Sequence, residues 1–122
     1  MAELEGEGDV TGEPLEEGEP LVTVEIDTRV DPAGAQIVIL SGELDSSNAA
    51  SLEATAAAIT AQHPQRLIFD LTGLRFMDSA GIAVLIGAAA KVDSVSLRNP
   101  SPIIRRVLEA TGLSSVLTIE SS

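Results

Sequence analysis

Cysteine, tryptophan and tyrosine are absent from this 122-residue chain, phenylalanine occurs twice and histidine once. Without a thiol there is no disulfide framework, no thiolate nucleophile, no iron–sulfur centre and no thiol redox switch. A single imidazole, His63, excludes a cluster of histidine ligands. The longest apolar run, Ala80 to Ala90, has eleven residues and contains Gly81 and Gly87, whereas a membrane helix needs about 20. The first residues are acidic and lack an apolar stretch, the reverse of a secretory leader. These absences lead us to expect a cytoplasmic protein that neither crosses nor binds a membrane.

Bases are scarce as well. Seven Lys and Arg face nineteen Asp and Glu, a formal charge of −12. The imbalance is local: residues 1–20 hold eight acids and no base, and residues 21–122 carry only −4. A basic footprint for nucleic acid is missing, and an anionic membrane surface would repel the chain. Fourteen of the first twenty residues are Glu, Asp, Gly or Pro. Such a composition cannot bury enough surface to offset its ordering entropy, so residues 1–20 are expected to form a disordered acidic tail. Solubility is the plain role for it, and screening of a partner surface a sharper one.

What remains is rich in apolar residues, 44% over the whole chain, and its length suits one domain spanning residues 21–122. From Leu21, apolar Val22, Val24, Ile26 and Val30 alternate with polar neighbours, the period of a half-buried strand. Asp31-Pro32-Ala33-Gly34 is turn chemistry. The unbroken run Ile37 to Leu40 then reads as a central strand buried on both faces, antiparallel to the first. After this hairpin, strands and helices alternate. Asp45, Ser46 and Ser47 are candidate caps for a helix to about Gln62, with Ala49, Leu52, Ala56 and Ile59 inward. A strand follows over Arg66 to Leu71, a loop through Thr72-Gly73, and a helix over about Ala80 to Lys91. Ser94 to Arg98 reads as a strand, and Ser101 caps a helix that Gly112 ends. Val116 to Ile119 is the last strand. The order β-β-α-β-α-β-α-β implies a mostly parallel sheet of about five strands, with an antiparallel edge strand and three or four helices.

Two loops place polar residues at the carboxyl ends of buried strands, where α/β folds carry their function. One is Gly42 to Ser47, the other Phe76 to Gly81. Ser79 falls at a helix N-terminus, where an anion meets unpaired N–H groups and the positive end of the helix dipole. It is therefore well placed to carry a phosphate. The plain alternative is that Asp78 or Ser79 is only a cap.

The stretch Phe69-Asp70-Leu71 and Phe76-Met77-Asp78-Ser79-Ala80-Gly81-Ile82-Ala83-Val84-Leu85 resembles the signature of the anti-sigma factor antagonists. These are single-domain members of the STAS family (sulphate transporter and anti-sigma factor antagonist). Gly42-Glu43-Leu44-Asp45 is similar to that family's loop before the first helix, and the likeness spans residues 21–120. It implies a STAS-like β-α superhelix and phosphorylation at Ser79 by a partner kinase. Ala80 stands where the family often has Ser or Thr, so Ser79 is the only hydroxyl in its loop. The implied partners are an anti-sigma factor, commonly an ATP-using serine kinase, and a serine phosphatase. The unmodified antagonist captures the anti-sigma factor and frees a sigma factor. The expected contact residues are Glu43, Asp45, Ser46, Met77, Asp78, Ser79, Ala80, Gly81 and Ala83, with no cofactor, no metal and no direct contact to nucleic acid. Ala83, Gly87 and Ala90 make one helix face small-sided, either for a partner or for tight internal packing.

Other readings fare less well. A hydrolase would need Gly where Met77 stands in the Gly-x-Ser-x-Gly elbow, and its only imidazole, His63, lies toward the opposite edge of the sheet. No phosphate-binding loop of the Gly-x-x-x-x-Gly-Lys type is present. Glu43, Asp45 and Asp78 could meet a magnesium ion, but capping and partner contact account for them. A non-switching STAS scaffold, a subunit of a transport or stress-sensing complex, is the main rival; it would dock through the same face. Arg105 and Arg106 could serve it as a second contact.

Overall fold

Residues 24–115 and 117–120 are described by the structure, a computed structural model. The expected tail, the first residues of the expected domain at 21–23, and Val116 lie outside the described residues. Strands β1 (Val24–Val30) and β2 (Gln36–Leu44) form an antiparallel hairpin. Asp31 builds its turn: the carbonyl accepts from Gly34 N at 2.9 Å, the carboxylate from Ala35 N at 2.8 Å. Gly34 takes φ +92°, a backbone state that side chains with a Cβ rarely adopt. Val30, expected inward, is exposed; it pairs with Gln36 beside the turn, at the closed end of the hairpin.

Helix α1 (Ala49–Thr60) buries Ala49, Leu52, Ala56 and Ile59, the expected stripe. Strand β3 (Arg66–Met77) runs past the expected Leu71 to Met77. It pairs with β2 throughout, and between Ile39/Ser41 and again between Gly42/Glu43 the register shifts by one extra residue on β3. Thr72-Gly73, expected as a loop, is thus a bulge that bends the strand onward. A Cβ on Gly73 would stand 2.8 Å from Ser41 Cβ, so the close approach of the two strands requires glycine there. Helix α2 (Ser79–Ala89), strand β4 (Ser94–Arg98), helix α3 (Pro102–Ala110), a short 3₁₀ turn and strand β5 (Thr118–Glu120) complete the order. Ser101 Oγ accepts from Ile104 N at 3.3 Å, and Gly112 ends α3 with φ +77°, as expected.

The sheet runs β1-β2-β3-β4-β5, with β1 antiparallel and all later pairs parallel. Strand order follows chain order, so crossovers of one hand put every helix on one face. Burial agrees: Val38, Leu40, Leu67, Phe69, Leu71, Val95 and Leu97 join Leu52, Ile59, Ile82, Leu85, Ile104 and Leu108 in one core. The alternate positions Ile37 and Ile39 are only half-buried and turn to the other face. The expected burial of β2 on both sides is therefore corrected to one side. On that second face Glu120 accepts from Arg66 at 2.6 Å and lies 3.5 Å from Arg98. Burial opposes ionisation of Glu120, but hydrogen bonds from Ser96 and Arg66, with the charges of Arg66 and Arg98, outweigh it and hold its pKa low.

The start of α2 is pressed onto the core. A Cβ on Gly81 would lie 2.6 Å from Leu44 Cδ2 and 2.7 Å from Met77 Cγ, while one on Gly87 meets nothing within 4 Å. Leu44 and Met77 are buried and cannot move aside. Gly81→Ala should destabilise the fold by about 1–3 kcal/mol through overpacking, whereas Gly87→Ala should stabilise it by about 0.5–1 kcal/mol through helix propensity. Urea melts of the two variants check the opposite signs. Glu120, with its lowered pKa, stabilises the fold fully above the unfolded glutamate value of about 4.3. That contribution is lost as pH falls through the lower folded value. Melting temperatures across an acid series should therefore fall less steeply for Glu120→Gln than for the parent chain.

Candidate functional site

The carboxyl ends of β2 and β3 feed two loops that meet at Asp78. Its N–H donates to Leu44 O at 3.1 Å, continuing the ladder one step beyond the strands. Its backbone is extended, the geometry of an N-cap, and its Oδ1 accepts from Ala80 N at 2.9 Å and Gly81 N at 3.4 Å. The second oxygen, Oδ2, accepts from Ser46 N at 3.2 Å, across thirty-two residues of sequence. One carboxylate thus caps α2 and holds the β2–α1 loop against it.

That loop is tied together by its own side chains. Asp45 Oδ1 accepts from Ser47 N at 2.9 Å and Ser47 Oγ at 2.5 Å. The Ser47 hydroxyl bond, then its N–H bond, hold the Asp45 carboxyl below its ordinary pKa. Asn48 bonds backward through both ends of its amide, to Asp45 N and to Glu43 O, each at 2.9 Å. Capping of α1 by Asp45, Ser46 or Ser47 is therefore corrected: Asn48 precedes the helix, and Asp45 shapes the turn before it. Glu43 is half-buried and lies 3.9 Å from the exposed Arg75.

Because Asp78 takes the capping role, Ser79 does not. It is the first helical residue, exposed, and its hydroxyl makes no hydrogen bond among the described residues. Ser46 and Ala83 are also exposed, and Asp45, Asp78 and Ala80 half-buried. Met77 and Gly81 are corrected as contact residues. Both are buried, Met77 under α2 and Gly81 against Leu44, so they support the surface from beneath. Gly81 serves this packing.

Helix α2 contains no charged residue, and Ser79, Ala83, Ile86 and Gly87 make up its exposed side. Ala83, Gly87 and, just past the helix end, Lys91 line one wall of a groove of about 90 Å³, with Glu53, Ala57 and Thr60 of α1 opposite. Ala83, Gly87 and Ala90 are thus not used for tight internal packing. Phe76 and Ile86 are exposed large apolar residues beside the site that sequence reasoning passed over. Carrying the strand pattern on to Met77 would have turned Phe76 outward. His63 sits after α1, exposed, and the twelve residues of β3 run between its end of the sheet and that of Ser79. Among the described residues, no three of His, Asp and Glu stand close enough to hold a metal ion, and no helix is long and apolar enough to cross a membrane.

The double duty of Asp78 can be separated by substitution. Asp78→Ala removes the cap and the tie to Ser46, and should lower stability by about 1–2 kcal/mol. Asp78→Asn keeps a capping oxygen and should retain most of it. Chemical denaturation of both variants reads the difference.

Comparison with known proteins gives this geometry a context. A family model described as the STAS domain matches residues 24–122. An anti-sigma F factor antagonist of Lysinibacillus sphaericus is 35% identical over 82 residues, covering 63% of this chain and 70% of its own. The crystal structure of an anti-sigma factor antagonist from Mycobacterium paratuberculosis superposes with a TM-score of 0.75 at 27% identity, over 80% of this chain and 86% of that one. The antagonist SpoIIAA in its unphosphorylated form shares the fold, with a TM-score of 0.70 at 23% identity over 80% and 88% of the two chains. The sequential five-stranded sheet and these matches agree, and the chain belongs to the STAS-domain family of anti-sigma factor antagonists.

Proposed function

We propose that the chain captures an anti-sigma factor while Ser79 is unmodified, freeing a sigma factor, and lets go when Ser79 is phosphorylated. The observation that carries this reading is the division of labour at the α2 terminus. Asp78 makes the cap, and the Ser79 hydroxyl is left exposed and unbonded on an uncharged helix face. The chain acts as binding module and kinase substrate, with no chemistry of its own. The anti-sigma factor, an ATP-using serine kinase, catalyses the transfer from ATP: a bond forms from Ser79 Oγ to the γ-phosphorus, the bond to the β-bridging oxygen breaks to release ADP, and the hydroxyl proton passes to a base of the kinase. A serine phosphatase resets the state. All of this takes place in the cytoplasm, where sigma factors work.

Electrostatics supplies the direction of the switch. A phosphoserine brings about −1.5 to −2 charges, here beside Asp78 and across the loop contact from Asp45. Docking would then have to desolvate a dianion among carboxylates, which weakens the complex.

The experiment is a binding screen of the purified full chain against the anti-sigma factors of its source organism, with and without ATP, followed by intact-mass measurement. The expected result is one tight partner, one added phosphoryl group that Ser79→Ala abolishes, and binding at least tenfold weaker for Ser79→Asp. A tight partner with no phosphate gained at Ser79 and no effect of Ser79→Asp would instead support the non-switching scaffold.

A further inference from the structure

Strand β1 is one margin of the sheet, and among the described residues no strand pairs with its outer side. The other margin, β5, offers three residues; β1 offers seven, with no proline, lysine or register shift to blunt it. The hairpin fixes which backbone groups face outward. Asp31 N donates to Ala35 O at 3.0 Å, and an antiparallel ladder alternates from such a bond, so Arg29, Asp27 and Glu25 bond to β2. Val24, Ile26, Thr28 and Val30 therefore turn their N–H and C=O groups to the open edge. Thr28 N agrees: it donates at 2.9 Å to the neighbouring Asp27 carboxylate, a partner suited to an N–H that points away from β2. Side chains follow their own alternation. Ile26 packs toward the core, while Asp27 and Arg29 form an exposed pair at 3.3 Å on the opposite face. Val30 is 61% exposed.

We propose that a second copy of the chain pairs antiparallel with this edge, β1 to β1, joining the two sheets into one. Charge selects the register, because opposite charges facing each other across a strand pair stabilise it and like charges do the reverse. Pairing centred on Asp27 or Arg29 sets that residue against itself, and pairing centred on Ile26 sets Glu25 against Asp27. Centred on Thr28, the pairing puts Asp27 opposite Arg29 of the second copy and Arg29 opposite its Asp27, a closed set of four alternating charges. Glu25 then falls opposite Asp31, whose carboxylate is already turned into its own hairpin to accept Ala35 N. On the helix side of the sheet, Val30 of each copy is covered by Ile26 of the other, and the two Thr28 side chains meet on the two-fold axis. The outward groups of Ile26, Thr28 and Val30 supply about six bonds between the chains, with Thr28 N exchanging the Asp27 carboxylate for a backbone carbonyl. The two Val24 ends lie about 27 Å apart, well beyond the screening length of about 8 Å. The eight acids of residues 1–20 thus attach at opposite ends of the pair. Ser79 follows β3, two strands in from this edge, so the pairing leaves it open and does not depend on the antagonist reading.

The test is sedimentation of the purified full chain over a concentration series. One strand pair buries little area, so a reversible dimer with a dissociation constant on the order of 10–100 µM is expected. Thr28→Pro removes an outward N–H, leaves the bonds to β2 in place, and is expected to weaken dimerisation about tenfold or more. Asp27→Arg and Arg29→Asp each gather four like charges at the centre, so each variant alone should stay single. An equimolar mixture of the two should pair again. The chain has no cysteine, so introduced thiols report the register. Thr28→Cys should form a disulfide-linked dimer under mild oxidation, since directly opposed residues lie about 5.5 Å apart. Val30→Cys, at an exposed position, should not, because its two copies are about 14 Å apart. Thermal melts verify that each variant folds. A parent chain that keeps its single mass at every concentration would overturn the proposal. So would a dimer that survives Thr28→Pro and both charge substitutions, since its contact must then lie elsewhere. Cross-linking of Val30→Cys as readily as Thr28→Cys would overturn the register.

Discussion

The Asp78 carboxylate is the constraint on which the functional edge depends. With one oxygen it satisfies the Ala80 and Gly81 N–H groups that open α2, and with the other it holds Ser46 of the preceding loop. A helix terminus needs an acceptor of this kind, and a short loop needs a tie. Placing both tasks on one side chain fixes the distance between the two halves of the site. It also has a chemical consequence for the next residue. A serine that follows a strong cap has no terminus to satisfy, so its oxygen is available to a partner.

Packing beneath the site makes this arrangement rigid. Gly81 lets α2 start directly on Leu44 and Met77, the last residues of two paired strands. The strands themselves reach that far because β3 absorbs two bulges and Gly73 lets it pass close to Ser41. Bulges are a common device for re-aiming a strand end beside a functional site. Here they bring Met77 and Leu44 into register, so that Asp78 can add one more bond to the ladder. Sheet, helix and loop are thus positioned by a continuous set of contacts from core to surface.

Much of this could be read from the residues, for identifiable reasons. The hairpin turn at Asp31 to Gly34, the stripe of α1, and the Ser101 and Gly112 boundaries of α3 rest on local chemistry that acts within a few residues. The Asp78–Ser79 turn was legible because the motif and the helix start coincide. What local pattern did not reveal was set by tertiary contact. Strand β3 continues through Thr72-Gly73 only because β2 is there to pair with it. Asp45 looks like a cap, yet Ser47 claims its carboxylate before the helix begins. Ile37 and Ile39 look like core, but every helix crosses to the other face, which leaves them half-buried. Met77 and Gly81 sit within the surface motif and still point inward, because the motif includes the last inward-facing residue of a strand and the contact residue of a helix.

A phosphate at the first turn of a helix is a particular kind of switch. The helix dipole at that end favours negative charge, so a phosphate on Ser79 need not unfold the helix. Asp78 already occupies the Ala80 and Gly81 donors, and the phosphate would project outward past the cap instead of replacing it. The fold can therefore accept the charge while the surface cannot ignore it. An uncharged helix face bordered by apolar side chains is the setting in which a dianion has its largest effect on docking, since water must be withdrawn from both. On the proposed reading, the placement that would keep the domain folded with a phosphate at Ser79 would also make the two states differ where a partner docks.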